Sequence, residues 1–351
     1  MSTKSDEQRR RASKKTSRDL VVSLEKSTST SQAEFLSNSC NKTQIIGLLS
    51  QRFKAAGFTV QQADGDADPL IVKTALQYLH GGRNVIVAST DTDVLAMLLA
   101  HAKPGDKMLH VLHPASSKSP GKVYDVAKVQ MEIGVMKDNV LFAHAMTGCD
   151  TTSALFSKGK KTAWNVLLNH SDMREVAAVF MDPAATKNDI VDAGEKFVLK
   201  LYGEKGCKNL DELRCLHFAR ALTRRTAIEL EMLPPTTAAC KQHALRVYLQ
   251  VCSSVLLTVQ QWCHNQLSPT DWGWRLEGDS LVPVTSELMS APEFLLEMVA
   301  CGCKQGCGAR CSCRVGGLNC TMMCLHCKGH SCVNGEPVHE GEEDPDDPDV
   351  L

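Results

Sequence analysis

Nine cysteines crowd into a short stretch near the end of the chain, and no other feature of the sequence constrains the fold as strongly. They are Cys301, Cys303, Cys307, Cys311, Cys313, Cys320, Cys324, Cys327 and Cys332. The other seven of the 16 cysteines are scattered through helix-like sequence. Disulfides do not persist in a reducing compartment, so a crowded set of this kind needs metal ions to hold it. The sequence therefore predicts a site for structural zinc.

The number of thiolates in this cluster predicts three zinc ions. Tetrahedral zinc takes four ligands, so three ions need about twelve ligand positions. Nine cysteines fill those positions if six of them bind one ion each and three bridge two ions. Nine thiolates exceed the charge of three dications. Basic residues within the loops offset this excess: Lys304, Arg310, Arg314 and Lys328.

The cysteine spacing resembles the tesmin-type CXC domain and related three-zinc, nine-cysteine modules, over residues 301–334. This resemblance implies structural zinc and contact with DNA. In the tesmin type a tyrosine just before the central Cys-x-Cys enters the minor groove, whereas this chain has Arg310 in that place. An arginine can also lie in a minor groove or contact a phosphate. The alternative is a module with a purely structural role.

The two ends of the chain carry opposite charge, although the net charge is only -1. Residues 1–40 begin with a basic segment and residues 335–351 are acidic, and both predict disordered tails. The basic run over residues 9–15 is typical either of a nuclear address or of a solubilising tail. We find no apolar run of membrane-spanning length and no signal-peptide pattern. The expectation is a protein without a membrane partner that is not secreted, and that is nuclear or otherwise cytoplasmic.

Strand and helix patterns alternate in the first half of the chain. Apolar runs predict strands over 58–61, 84–88 and 108–112, and amphipathic spacing predicts helices between them. This order is typical of an α/β fold with a parallel sheet. We assign a domain to 41–170, a helical region to 171–266, a linker to 267–290 and the zinc module to 291–334.

Three groups of aspartates are predicted to fall at the carboxyl ends of strands in the α/β domain. They are Asp66 with Asp68, Asp91 with Asp93, and Asp150. Ligands of open α/β sheets bind at the carboxyl ends of the strands, and converging carboxylates without a basic neighbour require a divalent cation. Two-metal phosphoryl chemistry uses such a cluster. The alternative is that Asp68 and Asp91 only cap helices. His144 is predicted to be a core residue.

These segments resemble the flap-endonuclease-like members of the PIN-like nucleases. Residues 65–68 (Gly-Asp-Ala-Asp) resemble the family's Gly-Glu-Ala-Glu, residues 89–95 its Ser-Glu-Asp-x-Asp-x-Leu, and residues 148–150 its Gly-x-Asp. The resemblance covers 41–170. It implies that the five aspartates hold magnesium or manganese for phosphodiester cleavage. Residues 156–163 are similar to the family's helix-two-turn-helix, which implies nucleic-acid contact through Lys158, Gly159, Lys160 and Lys161.

The chain departs from that family in two ways. The first acidic pair consists of aspartates instead of glutamates, and the leading strand with the family's first catalytic aspartate has no counterpart upstream of Asp66. The domain therefore corresponds to the C-terminal half of a PIN-like fold. Two functions stay open: a magnesium-dependent endonuclease, and an inactive DNA-binding or scaffold protein that keeps the fold and the zinc.

Overall fold

A computed structural model gives the structure of two separate compact units, Met1–Ser286 and Glu287–Leu351. It describes residues 3–12, 18–23, 29–63, 65–103, 105, 107–115, 120–203, 206–223, 230–255, 267–287, 301–304, 306–315, 319–320, 324–329 and 332–334. The larger unit is mixed α/β and rich in helix, and the smaller unit carries the cysteine cluster. The predicted acidic tail over 335–351 lies outside the described residues.

Twelve described helices belong to the larger unit. In chain order they are α1 (Thr3–Ala12), α2 (Gln32–Ser37), α3 (Ser39–Ala55), α4 (Ala67–His80), α5 (Thr92–His101), α6 (Val126–Ile133), α7 (Val140–Met146), α8 (Lys160–Asn169), α9 (Ser171–Val179), α10 (Lys187–Tyr202), α11 (Leu210–Thr223) and α12 (Thr237–Val255). None of the described helices is long and apolar enough to cross a membrane.

The sheet of the α/β part has three strands, β1 (Val85–Ala88), β2 (Leu109–His113) and β3 (Lys122–Asp125). β1 and β2 lie where the sequence predicts strands, and they pair in parallel. β3 pairs antiparallel with β2, so the sheet is mixed. The sequence predicts a helix from 122 onward, and residues 58–61 have no strand assignment. Short segments become strands only when a neighbour completes their hydrogen bonds, which local patterns do not reveal.

The core of this unit is built where α10 crosses α12. Gly194 of α10 meets Ala244 of α12 so closely that a Cβ on the glycine would lie 2.5 Å from the alanine Cβ. Phe142 contacts Phe180 and Phe197 with ring centroids 4.9 and 4.8 Å apart, and all three rings are fully buried. Burial of such a ring contributes about 2 to 3 kcal/mol. This helical core supports the loops that carry the aspartates.

Two segments differ from the sequence predictions. Residues 3–12 and 32–37 form helices where a disordered tail is predicted. Within the predicted linker over 267–290, β4 (Trp274–Glu277) and β5 (Ser280–Pro283) form an antiparallel hairpin. α1 packs against β5, where the Leu281 N–H donates to Asp6 Oδ2 at 3.1 Å. A buried aspartate paired with a strand N–H is a long-range contact that charge composition does not predict.

Candidate functional site

Two of the predicted aspartates cap helices and also face the acidic cluster. Asp66 Oδ1 accepts a hydrogen bond from the Asp68 N–H at the start of α4, and Asp91 Oδ1 accepts one from the Asp93 N–H at the start of α5. The cap of α4 is therefore Asp66 rather than the predicted Asp68. Both helices point their positive N-terminal ends at the carboxylates, which lowers the cost of gathering negative charge there.

Asp150 reaches the cluster through a tight turn after α7. It follows a helix, which corrects the expectation that it follows a strand. Gly148 has a φ of +105°, and a Cβ on it would lie 2.7 Å from the Ala154 Cα, so only glycine fits this position. Thr152 Oγ1 accepts from the Cys149 N–H at 3.0 Å and fixes the turn. The Gly-x-Asp pattern thus has a structural basis.

The structure brings all five predicted aspartates to one place. Oxygen atoms of Asp68, Asp91 and Asp93, one from each carboxylate, all lie within 4.8 Å of one another, a spacing that one metal ion could bridge. Asp66 and Asp150 approach the same point from α4 and from the turn after α7, because both form ion pairs with a single ammonium group. The acidic groups therefore converge even though they come from three separate segments.

That ammonium group belongs to Lys4 of α1, which corrects the expectation that no basic residue accompanies the carboxylates. Lys4 is only 8% exposed. Its Nζ donates a hydrogen bond to Asp68 Oδ2 and lies 3.1 Å from Asp66 Oδ1, 3.4 Å from Asp150 Oδ2 and 3.9 Å from Asp93 Oδ2. Sequence reasoning missed it because 64 residues separate Lys4 from Asp68 and no local pattern links them.

His144 is a second member of the cluster that the sequence does not reveal. Its Nε2 lies 2.8 Å from Asp93 Oδ1, so this histidine is satisfied by a carboxylate of the cluster. The sequence signal for this contact is the position of His144 on α7, the helix that ends just before the turn that carries Asp150. The contact orients Asp93 as an outer partner orients a metal ligand.

The charges in the cluster shift the pKa values of its members. Burial raises the pKa of Asp68, and the charges of Asp66 and Asp91 add to this rise, against the opposing effect of Lys4. Burial also acts to raise the pKa of Asp93, but the hydrogen bond and charge of His144 outweigh it and lower that pKa. Burial lowers the pKa of Lys4, yet the hydrogen bond to Asp68 and the carboxylate charges raise it, so Lys4 stays protonated.

A cavity of about 680 Å³ opens beside the cluster. Its lining includes Lys4 and four of the aspartates, together with Arg246, Gln250 and Leu276. The volume suits a small organic group or a segment of a larger chain. The Arg246 guanidinium is tied to the protein, because its Nη1 donates to Val284 O at 2.5 Å and its Nη2 donates to Ser153 Oγ at 3.1 Å.

The lysines predicted to contact nucleic acid lie at the start of α8, where Gly159 is the residue before the helix. Lys158 Nζ lies 4.8 Å from the centroid of the Tyr202 ring, and Lys160 Nζ donates to Gly148 O at 3.4 Å. Lys161 is exposed. Two of the three lysines therefore also have contacts within the protein, so their substitution would disturb more than a surface charge.

In the smaller unit, the cysteines surround a common centre that is rich in sulfur. The Sγ atoms of Cys301 and Cys307 are 3.6 Å apart, and those of Cys311 and Cys320 are 3.8 Å apart. A zinc–sulfur bond of about 2.3 Å gives an edge of roughly 3.8 Å in a tetrahedron, whereas a disulfide bond is about 2.05 Å. The spacing fits zinc ligation and not disulfides.

Several groups of four sulfur atoms have the mutual spacing that one ion requires, with all atoms within 4.8 Å of one another. The groups are Cys301, Cys303, Cys307 and Cys311; Cys307, Cys320, Cys327 and Cys332; Cys301, Cys311, Cys313 and Cys320; and Cys301, Cys320, Cys324 and Cys327. Cys301 and Cys320 belong to both of the last two groups. Because the Sγ atoms of Cys313 and Cys324 are 3.7 Å apart, these two cysteines form a further group of four with Cys301 and Cys320. The cluster can hold structural zinc.

Polar groups donate hydrogen bonds to several of the sulfur atoms. The Asn334 side-chain amide donates to Cys320 Sγ at 3.4 Å, and the Cys301 N–H donates to Cys324 Sγ at the same distance. The Arg314 N–H leads the hydrogen bonds that lower the pKa of Cys311 to about 6. Arg310 is exposed. Such outer hydrogen bonds accompany metal-bound thiolates.

No protein-family model matches the chain, and no curated protein and no solved structure matches it either. The resemblances to the flap-endonuclease-like nucleases and to the tesmin-type domain rest on the motifs themselves.

Proposed function

We propose that this chain is a nucleic-acid-directed protein related to metal-dependent, structure-specific nucleases, with a zinc-binding module at its C-terminal end. The observation that carries the proposal is the convergence of the five aspartates: four of them pair with Lys4, and the fifth, Asp91, groups with Asp68 and Asp93. Helix capping alone explains Asp66 and Asp91, but it explains neither Asp150 nor the approach of Asp68 and Asp93. Carboxylates gathered in this way are typical ligands of hard divalent cations.

In the proposed site, Asp68, Asp91 and Asp93 hold magnesium or manganese, and Asp66 and Asp150 border it. A bound divalent cation supplies an activated water and stabilises negative charge on a phosphodiester. His144 keeps Asp93 oriented through the contact with Oδ1, which leaves Oδ2 directed at the cluster. The cavity beside the carboxylates would accept part of the substrate.

For the smaller unit, the overlapping sulfur groups support three zinc ions with an assignment of every cysteine. One ion takes Cys301, Cys303, Cys307 and Cys311, a second takes Cys307, Cys320, Cys327 and Cys332, and a third takes Cys301, Cys313, Cys320 and Cys324. Each pair of groups shares one cysteine. Cys301, Cys307 and Cys320 are therefore the bridging ligands, and the other six bind one ion each.

Nucleic-acid contact is proposed at the start of α8 and at Arg310 of the zinc module. Lys161 and Arg310 are exposed cations, and contacts with phosphates give affinity without sequence preference. The basic run over residues 9–15 suits a nuclear location. Lys161→Glu is the cleanest probe of the α8 contact, because Lys158 and Lys160 have partners within the protein.

Cleavage of flap, duplex and single-stranded substrates in saturating Mn²⁺ tests the catalytic part of this proposal. We expect cleavage by the parent protein that is abolished by Asp91→Asn and retained by Asp192→Asn, a matched substitution at an exposed position on α10. Asp91→Asn keeps a side-chain oxygen for the helix cap, so the loss would report on charge. Cleavage that survives Asp91→Asn would contradict the proposed site.

The second candidate function is nucleic-acid binding without cleavage, and the position of Lys4 favours it. An ammonium group among the carboxylates supplies the compensating charge that a metal ion would otherwise provide. Salt-sensitive DNA binding that Lys161→Glu weakens, together with no cleavage by any variant in any metal, would select this candidate.

A further inference from the structure

We propose that α1 is an internal inhibitor of the acidic site, in which the Lys4 ammonium group occupies the place of a divalent cation and must leave before the cation binds. This inference rests on the proposed metal site and concerns its regulation. The geometry points to it because Lys4 makes contacts with the same carboxylates that would ligate the metal.

The contacts of Lys4 and of a metal ion exclude each other. Lys4 Nζ is hydrogen-bonded to Asp68 Oδ2 and lies 3.9 Å from Asp93 Oδ2, so it stands beside oxygens of two of the three proposed metal ligands. A divalent cation would need ligand distances of roughly 2.0 to 2.6 Å to the same oxygens. Both charges are positive, and close approach of the two would be repulsive. Either the ammonium or the metal occupies the site.

α1 is attached in a way that allows it to leave. Its sequence, Thr-Lys-Ser-Asp-Glu-Gln-Arg-Arg-Arg-Ala, contains no large apolar side chain. Among its described side chains, Lys4 pairs with the carboxylates and Asp6 Oδ2 accepts a hydrogen bond from the Leu281 N–H. Because α1 has no large apolar side chain and ionic contacts weaken as ionic strength rises, its local stability is low. No described residue of α1 belongs to the apolar core, so its release would not open that core.

A single ammonium group neutralises only part of the negative charge of the carboxylates. Four carboxylates pair with Lys4, a fifth, that of Asp91, lies beside Asp68 and Asp93, and His144 contacts Asp93. A dication doubles the compensating charge and approaches the oxygens more closely, so sufficient Mn²⁺ should displace Lys4. Because the two compete for one site, anything that binds the released basic helix, such as a polyanion, would favour metal binding. Arg10, which pairs with Glu7 at 2.7 Å, is exposed on this helix.

The test uses the full-length, zinc-loaded protein and Mn²⁺ as the probe, because thiolates select softer metals. Mn²⁺ affinity is measured by calorimetric titration for the parent, Lys4→Met, Lys4→Arg and the control Lys196→Met, which lies at an exposed position on α10. Lys4→Met should bind Mn²⁺ more tightly by roughly tenfold or more, since a buried ionic contact no longer competes. Lys4→Arg and Lys196→Met should resemble the parent.

A second measurement needs no variant. Trypsin cleaves after Lys4 only when this residue leaves the carboxylates, so Mn²⁺ should accelerate that cleavage in the parent, while cleavage after Arg83, which is exposed in the turn after α4, should not change. Equal Mn²⁺ affinity of the parent and Lys4→Met, with binding lost in Asp91→Asn, would refute inhibition by α1 and would still support the metal site. Absence of Mn²⁺ binding in every variant would overturn both.

Discussion

The assignment of bridging cysteines predicts that two cysteine substitutions in one cluster differ in the amount of zinc they release. Cys320 belongs to two of the three proposed ligand groups, and Cys303 belongs to one. If a zinc ion that loses one of four thiolates dissociates, Cys320→Ala retains about one ion and Cys303→Ala about two, against about three in the parent. The ratio between the two variants follows from the sharing of sulfur atoms and not from burial.

Native mass spectrometry of protein purified with zinc measures this ratio directly, because each bound ion adds a defined mass. Cys40→Ala is the matched control, since Cys40 is an exposed thiol on α3 of the other unit, and it should keep about three ions. Equal zinc loss in Cys320→Ala and Cys303→Ala would refute the bridging assignment. A parent protein with one zinc ion or none would refute the three-zinc module.

Two further predictions concern the stability of the larger unit. Burial, with a contribution from the Arg246 charge, lowers the pKa of His243 from 6.5 to about 4. The unfolded chain therefore binds a proton that the folded chain does not, and stability should fall by up to roughly 3 kcal/mol as the pH drops from about 6.5 to 4. Urea unfolding should show a flatter pH profile for His243→Gln, and identical profiles would contradict this. Gly194→Ala should destabilise by roughly 1 to 2 kcal/mol, because the added methyl meets Ala244 and outweighs the gain in helix propensity. A thermal midpoint equal to or above that of the parent would show that the helices separate at no cost.

Much of the local structure could be predicted because it depends on neighbours in sequence. Asp91 caps α5 as its position before an apolar helix predicts, and the apolar runs of β1 and β2 became paired strands. The hairpin was missed although its signal is present. Gly278 and Asp279 separate β4 from β5, and the φ of Gly278 is +59°, as a two-residue hairpin turn with glycine first requires. The nearby Trp-Gly-Trp and proline favoured a linker instead.

The proximity of the aspartates follows from local patterns in the sequence, but the charge that balances them does not. The spacing of the aspartates within each motif is local, and helix starts and a glycine turn fix their directions. Lys4 reaches them from a helix without large apolar residues, and this helix packs against β5. No periodicity predicts such a helix, because its burial is polar and its partners are distant in the chain. His144 was predicted as a core residue for the same reason, since only the fold places it against Asp93.

The most direct measurement is the anomalous difference density of manganese in crystals of Lys4→Met soaked in Mn²⁺. The proposed site predicts a peak with carboxylate oxygens of Asp68, Asp91 and Asp93 at roughly 2.0 to 2.6 Å. Zinc in the cysteine cluster is distinguished by its different absorption edge and serves as an internal reference. A map with zinc peaks at the cysteines and no manganese among the three aspartates would contradict the divalent-cation site.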